Sequence, residues 1–286
     1  MNTKEEIANF KPIKEFFIGI DSDGTAFDSM NIKHLDSFIP AAREVWNFGD
    51  GWATFKEGWT HLNLYSESRG INRFAGLLCA LKGMQDNGFF DAELSPLLNF
   101  VEKSTALSNS GLSAWMKSHP SPLLDDVMRW SLKSDVLFEK HTEGLLPFKG
   151  VAETLVDMAK KADIMVVSSA SGAGLDKDWS FSGLTDYTAL IAGQEVGSKE
   201  TQLRMGAAGK YPSMKMLMVG DAPGDLEAAR SVDALFFPIV PGREEESWLR
   251  LKNEGLVRFF SRTWDDEYGN NLLGEFMDLL SSDKSA

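Results

Sequence analysis

The sequence predicts an α/β fold: a Rossmann-like parallel sheet core interrupted by an inserted helical domain. Three observations carry this. Short continuous apolar runs end abruptly in polar residues, as strands buried on both faces do. From about residue 145 such runs alternate with helical periodicity, the pattern of a parallel sheet with helices on both faces. Between the first run and the rest lies a long stretch in which helical spacing alone recurs.

Taken in order, Phe16-Phe17-Ile18-Gly19-Ile20 is the first buried strand, and it stops at Asp21-Ser22-Asp23-Gly24-Thr25. From about residue 31 to 141, aromatic residues and Leu recur at helical spacings while β-branched runs are scarce. Polar breaks fall near Gly49-Asp50-Gly51, Gly70, Asp86-Asn87-Gly88 and His119-Pro120-Ser121-Pro122, so this stretch reads as several helices. After Pro147-Phe148-Lys149-Gly150, the positions Val151, Leu155, Met158 and Ala162 keep a helical period. Ile164-Met165-Val166-Val167 then forms a second buried strand ending in Ser168-Ser169. There follow a short strand near 189–192, a helix from about Lys199 with Ser198 as its N-cap, and the strand Met216-Leu217-Met218-Val219. A helix from about Asp225 and the strand Leu235-Phe236-Phe237-Pro238-Ile239 come next, and residues 244–280 add further helices. The expected domains are a discontinuous core, 1–30 with 145–286, and a helical domain, 31–144.

Length and composition fit this organisation. At roughly 150 residues per domain, 286 residues allow about two domains. A hydrophobic fraction of 43% with 25% charged residues excludes disorder, collagen and a disulfide scaffold. Lys and Arg number 29 against 42 Asp and Glu, a net charge of −13, so neither nucleic acid nor a membrane surface is an expected partner. An anionic substrate would need a local positive device to overcome that field. The start of the sequence has acidic residues where an export signal needs basic ones, and no apolar run is long enough to span a bilayer. The lone Cys79, in Gly76-Leu77-Leu78-Cys79-Ala80-Leu81, is expected in the core, and the absence of any cysteine pair suits a reducing cytoplasm.

In a parallel sheet the functional crevice lies at the carboxyl ends of the strands. Polar residues collect there: Asp21 and Asp23 after the first strand, Ser168 and Ser169 after the second, Asp221 and Asp225 after Val219-Gly220. Carboxylates converging from two strand ends repel one another by several kcal/mol in a partly dry site, on the order expected from Coulomb's law, and need a cation between them. Their oxygen ligands suit Mg2+. Lys199 at the first turn of a helix is disfavoured by the helix dipole, a conflict that a bound anion would remove.

Four elements thus lie in order: Asp21-Ser22-Asp23-Gly24-Thr25, a Ser after an apolar strand, a Lys opening a helix, and Gly220-Asp221-Ala222-Pro223-Gly224-Asp225. The set resembles the haloacid dehalogenase superfamily of phosphotransferases, over about residues 14–32 and 145–241. The helical insert falls where that superfamily places a C1-type helical cap. The resemblance implies a phosphatase of a small phosphorylated metabolite. Asp21 would be the nucleophile, forming an aspartyl-phosphate, and Asp23 the general acid and base. It implies Mg2+ held by Asp21, the Asp23 backbone carbonyl and Asp221, with Asp225 a direct or water-mediated ligand. Ser168 and Lys199 would bind the phosphoryl oxygens, a one-residue shift in register exchanging Ser168 for Ser169. Retention of Asp23 argues against relatives that cleave carbon–phosphorus bonds, and retention of Asp221 and Asp225 argues against the metal-free dehalogenases. A phosphomutase, or a regulatory phospho-acceptor that does not turn over, would share the same residues.

Within the insert, Arg69 and Arg73 stand four residues apart, and both an anion contact and an intramolecular ion pair suit them. Trp46, Trp52, Trp59, Trp115 and Trp130 are expected mainly in core packing rather than in a substrate cage. His34, His61, His119 and His141 lack metal-ligand spacing, and Thr25 is expected to bond the turn backbone. The substrate and the oligomeric state are not written in the sequence.

Overall fold

The apolar runs pair as five parallel strands, β1 Phe16–Ile20, β2 Ala162–Val167, β3 Leu190–Ala192, β4 Met216–Gly220 and β5 Leu235–Pro238, in the order β3-β2-β1-β4-β5. The computed structural model describes residues 1–281. Register fixes the ends of the strands against one another: Ile20 pairs with Val166 on one side and with Val219 on the other. β1, β2 and β4 are buried along their whole length, which is why β1, β4 and the part of β2 from Ile164 onward read as unbroken apolar runs.

The chain divides into two compact units, Met1–Ser29 with Gly144–Ala286, and Met30–Glu143. In the first, helices cover both faces of the sheet. α1 Lys4–Asn9 precedes it, and Thr3 and Glu6 close a capping box at its start. After a short helical turn, α2 Ser29–Asn31, the chain runs through a π-helical stretch, Ile32–Phe38, into the second unit. That unit consists of α3 Ile39–Val45, α4 Trp52–Leu64, α5 Arg73–Asp86, α6 Ser95–Lys103, α7 Asn109–Met116 and α8 Pro122–His141. The chain then returns to the sheet unit as α9 Val151–Ala159, α10 Gly172–Phe181, α11 Lys199–Gly206, α12 Pro223–Arg230, α13 Glu244–Arg250, α14 Leu256–Ser261 and α15 Asp266–Ser281. No helix among the described residues is long and apolar enough to cross a membrane.

Each face of the sheet has its own core. One gathers Ile18, Ile20, Val166 and Val219 with Trp179, Trp248 and Phe259; the other gathers Phe17, Met165, Val167 and Met218 with Leu203 and Phe276. This is the alternation of a strand with both faces covered. The helical unit packs about Phe38, Phe55, Trp59, Phe74, Phe100 and Trp130.

Two sequence expectations need correction. Ala162 belongs to β2 and not to the helix before it, which ends at Ala159. The strand includes a buried carboxylate, Asp163, whose Oδ2 accepts the N–H groups of Ile13 and Lys14 (both 2.8 Å) and the Tyr211 hydroxyl (2.7 Å). Those partners satisfy a charge that a strand pattern counts as a break. Cys79 is exposed. The buried face of α5 runs through Phe74, Leu77, Leu81 and Met84, and a residue two positions past Leu77 is turned roughly 200° away from that face.

Candidate active site

The site is built at the carboxyl ends of β1 and β4, where the strand order reverses and a crevice opens in sheets of this class. Asp21 follows β1 directly, and its N–H donates to the Val219 carbonyl (3.0 Å) of the neighbouring strand. The chain then turns back on itself, with Ala26 and Phe27 N–H groups reaching the Ser22 carbonyl and Gly24 N–H reaching the Phe27 carbonyl. Gly24 has φ +78°, a left-handed conformation that a side chain would strain. Behind the turn two buried tryptophans donate to it: Trp179 Nε1 to Ser22 Oγ (3.0 Å) and Trp248 Nε1 to the Thr25 carbonyl (2.8 Å).

On the β4 side, Gly220 ends the strand and Asp225 lies in the first turn of α12. A Cβ at position 220 would run into the Asp225 side chain, so only glycine lets that carboxylate lie against the strand end. Asp225 Oδ2 accepts the Ala222 N–H (3.1 Å), and its Oδ1 accepts Lys199 Nζ (2.6 Å). Lys199 also meets Asp21 Oδ1 at 2.9 Å. Ser198 caps α11 through the Thr201 N–H, so the Lys199 ammonium stands at the unfavourable end of the helix dipole and is held there by two carboxylates. Thr25 Oγ1 donates to Asp221 Oδ1 (2.7 Å) and lies 3.4 Å from Asp21 Oδ2, so it bridges carboxylates rather than bonding the turn backbone.

Asp21, Asp221 and Asp225 are all buried, and each offers an oxygen within 4.8 Å of the others. One ammonium faces three carboxylates. Burial pushes Asp21 well above the ordinary carboxylate range, the Asp225 and Asp221 charges add to this, and Lys199 only partly offsets it. Burial likewise raises Asp225. Burial alone would lower Lys199, but Asp21 and Asp225 outweigh it and keep the ammonium firmly protonated. The excess negative charge and the oxygen-only donor set fit a hard divalent cation such as Mg2+.

Asp23 stands apart from this cluster. Its Oδ1 accepts the Ser29 hydroxyl at 2.5 Å. On α10, burial and the Asp23 charge raise Asp178 to about 6. Ser168 is buried at the end of β2 while Ser169 is exposed. Ser168 Oγ accepts the Ala170 N–H (3.1 Å), and among the described residues its own proton has no acceptor. Sequence reasoning did not find Ser29, Trp179, Trp248 or Asp178, since each reaches the site through the fold and none belongs to a local pattern.

The insert residues have structural partners within their own unit. Arg69 is buried and donates to the Leu64 carbonyl (2.8 Å). Arg73 pairs with Asp135 (2.5 Å) and donates to Ser131 Oγ (3.1 Å), the ion-pair alternative for this residue. Trp46, Trp59 and Trp130 are buried in the unit's core, with Trp52 and Trp115 packed against it. His34 Nδ1 accepts from Trp59 Nε1 (3.2 Å) inside that core.

No protein-family model matches the chain, and no curated protein matches it. The chain is similar to several solved structures, of which three follow. One, a predicted phosphoglycolate phosphatase from Haemophilus somnus 129PT, is 15% identical over 79% of this chain and 86% of its own, with a TM-score of 0.49. A HAD-superfamily hydrolase of subfamily IA from Geobacter sulfurreducens PCA is 14% identical over 79% and 88%, with a TM-score of 0.41. A haloacid dehalogenase-like hydrolase from Streptococcus pneumoniae is 11% identical over 86% and 98%, with a TM-score of 0.44.

Proposed function

We propose that the chain is a Mg2+-dependent phosphoric monoester hydrolase of the haloacid dehalogenase type, acting on a small phosphorylated metabolite. The observation that carries this reading is the convergence of Asp21, Asp221, Asp225 and Lys199 at one strand-end crevice, with Asp23 beside it on the same turn.

In the first step an Asp21 carboxylate oxygen attacks phosphorus in line. The bond from phosphorus to the ester oxygen breaks, and that oxygen leaves with a proton from Asp23. The product is an aspartyl-phosphate on Asp21. In the second step ionised Asp23 takes a proton from water, whose oxygen attacks phosphorus, and the bond to Asp21 breaks to release inorganic phosphate. Lys199 and the Ser168 hydroxyl hold the phosphoryl oxygens through both steps, offsetting the charge that spreads over them. Asp21, Asp221 and Asp225, with the Asp23 carbonyl, would hold Mg2+, which when bound neutralises phosphoryl charge. Ser29 keeps the Asp23 carboxylate in place on the turn. The helical unit is the part of the chain that we assign to substrate selection.

Phosphate release from a panel of sugar phosphates, nucleotides, phosphoglycolate and an aryl phosphate tests this, with Mg2+ and with EDTA. Release is expected with Mg2+ alone, and Asp21→Asn should lower it by at least about a thousandfold, the scale of losing an essential nucleophile. Turnover in EDTA or in the Asn variant would overturn the reading. Isomer formation without free phosphate would identify a mutase instead.

A further inference from the structure

We propose that Gln202 is a positioning residue for phosphate binding, locking the Ser168 hydroxyl and the Lys199 ammonium into one anion cradle. The inference rests on the phosphatase reading for the roles of those two groups. Its own basis is one fully buried side-chain amide at 0% exposure that joins three chain segments. Gln202 Oε1 accepts the Ser168 N–H (3.0 Å), and Nε2 donates to the Ser168 carbonyl (2.8 Å). The same Nε2 lies 3.1 Å from the Gly193 carbonyl and 2.9 Å from the Gly197 carbonyl.

An amide is the side chain that can do this, because it carries a donor group and an acceptor in one plane and so pairs with a peptide unit on both sides. Ser168 sits where β2 runs on past its last pairing with β3. Its N–H also reaches the Ala192 carbonyl (3.1 Å), and Gln202 supplies what a longer strand would have supplied. The remaining contacts fix the segment from Gly193 to Gly197, which delivers the chain to α11. Gly197 has φ +123° there, so the turn into the helix is sharp. Lys199 lies three residues before Gln202 on that helix, and residues at this spacing share a face. One amide therefore sets the backbone of the hydroxyl donor and anchors the helix of the ammonium. The Ser168 proton has no acceptor among the described residues, so the group being held in place is a donor available to an anion. A displacement of about 1 Å between such groups is enough to weaken a preorganised site substantially.

The test is a double-mutant cycle on the full chain, read as the Kd for inorganic phosphate with magnesium chloride present and as KM and kcat on the best ester of the panel. In an otherwise wild-type chain, Gln202→Met should weaken phosphate binding and raise KM by about tenfold, the scale of one lost buried hydrogen-bonding partner. On a Ser168→Ala background the same change should have a smaller effect, about threefold, because one of the two groups it positions is gone and only Lys199 remains to be held. Equal factors on the two backgrounds, or an unchanged Kd for phosphate in Gln202→Met, would overturn the proposal. A merely structural role lowers the melting temperature and leaves this coupling at zero. If Gln202→Met does not melt cooperatively, Gln202→Asn carries the same comparison, since it keeps the amide but withdraws it from Ser168. A wild type that releases no phosphate from any ester overturns the phosphatase reading, and the phosphate titration then decides the role of Gln202 by itself.

Discussion

Asp178 shows at the scale of one residue how the site charges its surroundings. Burial, with the Asp23 charge, raises its carboxyl from an ordinary 3.8 to about 6. The folded state therefore holds this proton more tightly than the unfolded chain does. Its contribution to stability is most favourable below about pH 4, falls as pH rises from 4 to 6, and stays at its unfavourable limit above that. Asp178→Asn should accordingly raise the melting temperature at pH 8, with the gain vanishing near pH 4. Because the side chain is partly exposed, solvent screening limits the effect to about 1 kcal/mol. Thermal melts of both proteins across that range check it, and a gain that grows toward low pH would reverse the assignment. The single residues that sequence made legible are those in local patterns: Asp21 and Asp23 end a continuous apolar run, and Asp221 and Asp225 follow another. Asp178 was not legible, because its partner lies on a different strand's turn and only the packing of α10 on that turn, through Trp179 and Ser22, brings them near.

At the scale of elements, the junction of β4 with α12 is where the cation reading meets packing. Asp225 is anchored by the Ala222 N–H and by Lys199, so it has no room to retreat from a methyl group at position 220. Gly220→Ala should cost about 1–3 kcal/mol as an overpacking change and should displace one of the proposed ligands. In the wild type, Mg2+ at a hundredfold over its Kd should stabilise the fold by about 2.7 kcal/mol, a rise of about 4–5 °C for a chain of this size. The Ala variant should lose most of that rise. Melts with Mg2+ and with EDTA measure both effects, and an undiminished Mg2+ response would remove Asp225 from the ligand set. Strands were the most legible elements, since burial on both faces leaves an unbroken apolar run. β2 was read short at its start because Asp163 interrupts the run, and the groups that satisfy it come from Ile13, Lys14 and Tyr211, far away in sequence. Helix faces were less legible: Cys79 sits among apolar neighbours in sequence yet on the exposed side of α5.

At the scale of the whole molecule, the chain leaves and re-enters the sheet unit at one place. Phe27 forms an antiparallel bridge with Pro147, and the Phe148 N–H donates to the Ala26 carbonyl (2.9 Å). These bonds lie inside the sheet unit and do not depend on the residues between them. The two cores of that unit are drawn from its own residues, and the aromatic residues of Met30–Glu143 form a third core of their own. A long excursion between paired points costs the fold little, because closure entropy grows only slowly with loop length. Excising Met30–Glu143 and joining Ser29 to Gly144 through a short Gly-Ser linker should therefore leave a protein that melts cooperatively. It should keep an α/β circular dichroism spectrum and the Mg2+-dependent rise in melting temperature, because Asp21, Asp221, Asp225 and Lys199 all remain. The released segment, expressed alone, should be helical with a cooperative melt of its own. Loss of cooperative melting in the shortened chain would show that the sheet unit needs the insert to fold. A cooperative melt without the Mg2+ response would show that the insert contributes to holding the cation.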